Sequence, residues 1–266
     1  MALPAGFVEV RGRREVAWLR EDLAALGAAA LWREPEPMPS AKGRGGVGTL
    51  QVTDQLCAVV RPFRRGGALR ALLGDRYPAP ARVCRELEVL ERMRQEGVPV
   101  VVPLAALARR QRTFWRLRLL TERLDGALPL PAFCASDAQA RRWAVEAAAV
   151  AVRLAFRAGL LHQDLHPDNV LVCRHGDKVR AVLVDLDRAS VVDGLTEAQR
   201  DTMLVRMARY LAKHRSKLAC EVSRTDFLRF LRGLGFDRAG RAVEVARLEP
   251  QLARALRLRR YGKKAR

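Results

Sequence analysis

Three oxygen-bearing side chains interrupt two of the most apolar stretches of this sequence, and their spacing defines a chemistry. Asp164 and Asn169 stand five residues apart between Leu160-Leu161 and Val170-Leu171-Val172, and Asp185 follows Val182-Leu183-Val184. Such groups are costly to keep beside a core unless they are used. Their types suit phosphoryl transfer. That reaction needs a base at the attacking hydroxyl, metal ions across the phosphates and fixed geometry, with little covalent help. Asp164 would accept the hydroxyl proton, and Asn169 and Asp185 would give hard oxygen ligands to Mg²⁺. The competing reading is a buried turn whose Asp and Asn satisfy backbone groups, with His162 hydrogen-bonded in the core. A zinc site at His162 and His166 fits less well. Their i, i+4 spacing suits a helix, Pro167 and Asp168-Asn169 make a loop, and no Cys or His cluster completes the set.

The elements that must position these groups follow from the flanking residues. A helix rich in Ala and Leu, capped by Ser136-Asp137, ends at Gly159. A loop then carries His162, Asp164 and Asn169 into an apolar strand. A turn at His175-Gly176-Asp177-Lys178 and a second apolar strand deliver Asp185. The order His-x-Asp-x4-Asn, strand, turn, strand, Asp is that of a kinase catalytic loop and metal-binding segment. His162-Gln163-Asp164 stands where protein kinases have His-Arg-Asp, and Asp185-Leu186-Asp187 where they have Asp-Phe-Gly. Both departures point toward small-molecule or glycolipid kinases.

The earlier half of the chain offers the matching nucleotide-side groups. Gly43, Gly45 and Gly48 satisfy G-x-G-x-x-G, a pattern that could equally be a flexible linker. Two antiparallel strands follow, as in the nucleotide-covering loop of a kinase, where small residues let backbone N–H groups approach phosphates. Pro35, Pro37 and Pro39 forbid regular structure just before it. Arg61 ends the second strand, in the place of the phosphate-binding Lys of kinases. Glu86, on a helix over Ala81 to Glu96, is its expected partner. It borders the face defined by Val83, Leu87 and Leu90, and is otherwise an ordinary solvated carboxylate. Trp115 to Thr121 alternates as a strand and runs into Glu122 to Gly126, a hinge whose backbone would meet an adenine edge.

The fold class expected is α+β, a bilobal protein-kinase-like fold. It has a small antiparallel-sheet N-lobe with one main helix and a mainly α-helical C-lobe. Residues 1–40 are read as an N-terminal helical extension, with Val16, Leu19, Leu23 and Leu26 at helical spacing over Val10 to Trp32. The N-lobe is placed at 41–123 and the C-lobe at 124–253, with helices at Thr196 to His214, Thr225 to Leu234 and Asp237 to Arg247. Residues 254–266 form a basic tail, solvated or held on an anionic surface.

Composition narrows the partners. The 266 residues are 49% hydrophobic and 29% charged, a globular balance with ample length for a core. No uncharged apolar run reaches about 18 residues, so no membrane span is expected, nor is a signal peptide. Five scattered cysteines read as small apolar residues of a reducing compartment, with no disulfides. The formal charge of +20 implies an anionic partner. Nucleic acid is disfavoured, because aromatics make up only 6% and no basic stretch interleaves with them.

Together these motifs resemble the lipopolysaccharide kinase family, and within it the 3-deoxy-D-manno-octulosonic acid (Kdo) kinases. The similarity runs from about Gly43 to Arg215. It rests on Gly43-Arg44-Gly45, Val60-Arg61 with Arg64-Arg65-Gly66-Gly67, and Leu72-Leu73-Gly74-Asp75-Arg76-Tyr77. It rests also on Arg85-Glu86 with Leu90 and Met93-Arg94, on Leu120-Thr121-Glu122-Arg123, and on Val184-Asp185-Leu186-Asp187-Arg188. The family carries Arg at the strand position, which supports Arg61. The resemblance implies an ATP- and Mg²⁺-dependent enzyme on the cytoplasmic face of the inner membrane, held there peripherally on the anionic surface. Its acceptor would be a sugar hydroxyl of an acidic glycolipid, the lipid A core. One departure concerns the acceptor. His166-Pro167 replaces the Asn-Ala of Kdo kinases and is typical of aminoglycoside and choline phosphotransferases. Those enzymes form the second reading, and a catalytically inactive kinase fold serving as a basic binding module forms the third.

Overall fold

Alternation of buried and exposed residues, such as Leu50 and Val52 against Gln51 and Thr53, builds most of the first half as antiparallel sheet. A computed structural model describes residues 3–38, 46–64, 74–218 and 221–264. The chain divides into two units, Met1–Gln95 with Val101–Leu124 and Glu96–Val100 with Asp125–Arg266.

The first unit is a seven-stranded sheet in the order β1-β2-β6-β7-β5-β4-β3. The strands are β1 (Phe7–Arg11), β2 (Glu15–Arg20), β3 (Glu36–Pro37), β4 (Gly48–Thr53), β5 (Leu56–Pro62), β6 (Pro103–Gln111) and β7 (Phe114–Glu122). A 3-10 turn (Glu21–Leu26) and the short helix α1 (Gly27–Leu31) bring Leu23 and Leu31 onto Leu19, Leu50, Val60, Leu104 and Leu120. Helix α2 (Ala81–Gln95) buries Val83, Leu87, Leu90 and Met93 at helical spacing.

Two expectations need correction here. The helix read over Val10 to Trp32 is instead a hairpin in register Val8↔Leu19 and Val10↔Ala17, followed by the short 3-10 turn and α1. Strand β2 lies between β1 and β6, and Ala17, Trp18 and Leu19 are all buried. A strand covered on both faces carries a continuous apolar run, which the 3.6-residue period can imitate. Residues 3–38, the described part of the expected extension, therefore contribute to the first unit's sheet and are no separate helical segment. Nor do the prolines exclude regular structure. Glu36–Pro37 pairs with Gly48 and Thr49 as the edge strand, where a missing N–H is tolerated.

The second unit is mainly helical, with α3 (Leu130–Ser136), α4 (Arg141–Arg157), α5 (Glu197–His214), α6 (Arg224–Gly233) and α7 (Arg238–Lys264). Asp137 accepts the Ala140 N–H (2.8 Å) in the turn between α3 and α4. Small residues on α4, among them Ala144, Ala148, Ala149 and Ala151, are fully buried and admit close neighbours. A Cβ on Gly233 of α6 would lie 2.5 Å from Ala149 Cβ. The hairpin β10 (Val170–His175) and β11 (Lys178–Leu183) pairs with β8 (Leu128–Pro129), and β9 (Leu160–His162) pairs with β12 (Ala189–Val191). Gly159 joins α4 to β9 at φ 74, and a Cβ there would fall 1.9 Å from the Val192 carbonyl oxygen. Only glycine serves both conditions.

Two further differences concern the limits of elements. The apolar stretch Val98 to Pro103, which the sequence offers as a further strand, splits between the units after Val100. Within the second unit, Val100 bridges Leu183 and Pro99 O accepts the Leu183 N–H (2.8 Å). The basic tail is not a separate segment, because α7 continues through it to Lys264. Ala, Leu and Arg are strong helix formers, so charge alone does not end the helix.

Candidate active site

The second unit gathers the oxygen-bearing trio through backbone bonds. After β9 the chain turns, with Leu165 N–H donating to His162 O (3.3 Å), and a 3-10 turn over Pro167–Asn169 leads into β10. Asn169 Nδ2 donates to the Asp164 carbonyl (3.0 Å). Val184 N–H donates to the Asn169 carbonyl (3.0 Å), which sets Asp185 directly beyond Asn169. Asp185 adopts φ 59, one of two non-glycine residues with positive φ among those described. The left-handed region costs an L-residue roughly 1–2 kcal/mol, least for Asp and Asn. Held strain of this kind is a marker of function.

Two of the three, Asn169 and Asp185, could hold a magnesium ion. The Asp164 carbonyl can only accept, so the Asn169 atom facing it is the amide nitrogen, and Oδ1 remains for a cation. Among the described residues no cluster of three His, Cys, Asp or Glu could enclose a metal by itself. A site of Asn169 and Asp185 suits Mg²⁺ better, since that ion takes one or two carboxylates and completes its shell with phosphate oxygens and water.

Asp164 is half-exposed and pairs with Arg206 of α5, while His166 Nε2 lies 4.0 Å from the same Oδ1. Burial alone would raise its carboxyl. The hydrogen bond and charge of Arg206 reverse this and hold it below its ordinary value, so it is ionised at neutral pH. His162 is only 1% exposed. Its Nδ1 accepts the Asp164 N–H (3.3 Å), its own N–H meets Met203 Sδ (3.2 Å), and Nε2 has no partner among the described residues. Expected as catalytic, His162 is too deeply buried to touch a substrate. It is a positioning residue that fixes the Asp164 backbone.

Burial pushes His162 down to about 4, against the pull of Asp185 and Asp164. The folded protein therefore keeps it neutral, while the unfolded chain protonates it below about 6.5. Its contribution to stability is fully present above that pH and is lost as pH falls toward 4. Between pH 6.5 and 5 the loss from this side chain is about 2 kcal/mol. Denaturant titrations of the wild type and His162→Gln at both pH values should show a smaller acid loss in the variant. Equal losses would disprove the assignment.

The face of α5 toward this loop went unnoticed in the sequence. Met203, Arg206, Tyr210 and His214 recur along one stripe. The Tyr210 ring stacks on His166 at 4.4 Å and 7°, and its hydroxyl donates to Asp168. Burial and the Asp168 carboxylate push the Tyr210 phenol up, so it stays the donor. His214 packs against Tyr210 at 4.2 Å, tilted by 39°, and bonds its carbonyl (2.9 Å). The one signal in the sequence was the capping box of Thr196 and Gln199, which sets where α5 starts and hence which residues share this face.

In the first unit, Arg61 of β5 forms an ion pair with Glu86 of α2. Glu86 is buried, and the Arg61 guanidinium also lies 4.8 Å above the Phe63 ring. Gly48 begins β4, and a Cβ there would sit 2.4 Å from the Glu36 carbonyl oxygen. Its lack of a side chain is thus explained by the edge strand. Gly43 and Gly45 lie outside the described residues. Glu122 ends β7 with its N–H donated to Val102 O (2.8 Å), and the Arg123 N–H goes to Cys57 O (2.9 Å). These hinge N–H groups are engaged within the unit, so any contact of Glu122 with an adenine edge must use its oxygens.

Comparison with known proteins adds four findings. A model of the lipopolysaccharide kinase (Kdo/WaaP) family matches residues 29–234. The 3-deoxy-D-manno-octulosonic acid kinase of Xylella fastidiosa (strain M23) is 29% identical over 218 residues, 80% of this chain and 85% of that protein. That of Vibrio vulnificus (strain CMCP6) is 27% identical over 222 residues, 81% and 91% respectively. A solved structure, WaaP in complex with acyl carrier protein, matches with a TM-score of 0.55 at 24% identity, over 88% of this chain and 90% of that one. At that identity the likeness shows the fold, which is kinase-like.

Proposed function

The chain belongs to the lipopolysaccharide kinase (Kdo/WaaP) family and is a phosphotransferase acting on a sugar hydroxyl; from that premise we propose that its acceptor is 3-deoxy-D-manno-octulosonic acid of the lipid A core and its donor Mg-ATP. Asp164 takes the proton of the acceptor hydroxyl as the phosphorus–oxygen bond forms. Asn169 Oδ1 and the Asp185 carboxylate would hold Mg²⁺, which when bound would neutralise phosphate charge. Arg61, kept in place by Glu86, serves the phosphates of the donor. The observation that carries this reading is the Asn169–Val184 backbone bond, which joins the loop bearing Asp164 to the strand end bearing Asp185.

The +20 charge supports peripheral attachment to the anionic cytoplasmic face of the inner membrane. Each Lys or Arg near such a surface contributes about 1 kcal/mol, so a handful suffices. No helix among the described residues is long and apolar enough to cross a membrane. The test is incubation with labelled ATP, with and without Mg²⁺, on Kdo-lipid A, a heptosylated core and aminoglycosides. Label is expected on Kdo-lipid A and only with the metal. Label confined to aminoglycosides would transfer the protein to the second reading.

A further inference from the structure

Arg206 comes from α5, far along the chain from the loop that bears Asp164, yet its guanidinium is bonded to Asp164 Oδ1. Anchoring of the helix does not explain this contact. Met203 against the His162 N–H, and Tyr210 against His166 and Asp168, already hold α5 to the loop on either side. Nor does stability explain it. The two side chains are 38% and 42% exposed, a setting in which ion pairs contribute little.

The arrangement instead leaves Arg206 available to an anion. Guanidinium carries five N–H donors in a planar fork, and among the described residues Arg206 makes one side-chain hydrogen bond, to a single carboxylate oxygen. A carboxylate offered with both oxygens forms the stronger, two-bond arrangement. The oxygen that Arg206 now occupies is one that a general base would present to a hydroxyl.

We propose that Arg206 is the acceptor-recognition residue: it pairs with Asp164 until the carboxylate of a sugar acid takes it over, and this exchange frees Asp164 for the neighbouring hydroxyl. The inference rests on the acceptor reading above and deepens it, because it makes the acid function of the sugar, beyond its hydroxyl, the feature selected. Neutral sugars and cationic aminoglycosides cannot make the exchange. His166, with Nε2 at 4.0 Å from the same Asp164 oxygen, remains to steady the carboxylate once Arg206 has turned away.

The test compares Kdo-lipid A with the same acceptor carrying a carboxamide in place of the carboxylate, using wild type, Arg206→Gln and Arg206→Lys. The readout is the acid-to-amide ratio of kcat/KM within each protein, which a general loss of folding does not move. Wild type should prefer the acid on the order of 30- to 100-fold, the range of a charge-assisted pair. Arg206→Gln should bring the ratio to within about 3-fold of unity, and Arg206→Lys, a charge without the fork, should lie between. An unchanged ratio in Arg206→Gln, including equal loss on both acceptors, overturns the proposal, as does a wild type that does not distinguish them. In those cases the kinase reading stands. A wild type that phosphorylates neither, but labels the heptosylated core or an aminoglycoside, overturns the acceptor reading and this inference with it.

Discussion

Replacing Asp185 by Asn is expected to remove Mg²⁺-dependent nucleotide binding while leaving the fold intact. The two halves of that expectation have separate physical grounds. Asp185 sits at φ 59, and Asn tolerates this region as well as Asp does, so the substitution takes away charge without adding strain. Asp185→Ala would add a backbone cost of about 1 kcal/mol and confuse the two effects. A magnesium ion held by Asn169 and Asp185, as proposed, would depend heavily on the one anionic ligand of the pair. Losing it should weaken Mg-ATP binding on the order of 10²–10³-fold, in keeping with the several kcal/mol a metal contributes to phosphate charge. Nucleotide titration with Mg²⁺, and again with EDTA, measures this directly. The wild type should differ strongly between the two conditions and Asp185→Asn hardly at all. A variant that binds Mg-ATP as the wild type does would move the metal to other residues.

How far the site could be read from the sequence depends on how each group is tied to its neighbours. The loop and hairpin that carry Asp164, Asn169 and Asp185 were legible because short-range rules bind them: a glycine helix stop, a loop with proline, then a hairpin. Arg61 and Glu86 were legible for a related reason, a strand end and a helix position with limited freedom. The structure joins them as an ion pair. Arg206, Tyr210 and His214 were not legible. Arg206 and Tyr210 reach their partners from about forty residues away, His214 only packs on Tyr210 one turn before it, and nothing local to α5 distinguishes an Arg that meets Asp164 from the many Arg in solvent. The abundance of Arg hides the few that matter. In the fold, the hairpin over Phe7–Arg20 was missed because burial on both faces of β2 erased the strand alternation. The edge strand at Glu36–Pro37 was missed because a rule valid inside a sheet was applied at its margin.

His162 shows a different limit. Its identity and spacing point to the chemistry, and its burial then removes it from contact with any substrate. A sequence motif records which residues act together, but not which of them acts on the others. Here the imidazole accepts the Asp164 N–H, and Asn169 takes the carbonyl of the same residue. The Asp164 backbone is thereby fixed from both sides, while its side chain stays half in solvent. This division of labour matches what phosphoryl transfer needs, a base whose position is set beforehand and whose carboxylate is still reachable.

The sharpest consequence is that Asp164→Asn should lower kcat by roughly 10²–10⁴ and leave the nucleotide affinity within about 3-fold of wild type. Asn keeps the size of the side chain and an oxygen for Arg206, so the contact with α5 survives and only the basicity is lost. His162 and Asn169 hold the residue through its backbone, which the substitution does not alter, so Asn169 keeps its oxygen for the metal. Loss of turnover should thus separate cleanly from loss of binding, and single-turnover rates beside nucleotide titrations read the two quantities independently. The pH profile gives a second check with a definite sign. Because Arg206 holds the Asp164 carboxyl below its ordinary value, the acid limb of wild-type kcat/KM should lie below the ordinary carboxylate range. In Arg206→Gln that restraint is gone, and burial pushes the carboxyl upward, so the acid limb should move to higher pH. A decline in rate and nucleotide affinity by the same factor in Asp164→Asn, or an acid limb that ignores Arg206, would assign the proton transfer to another group.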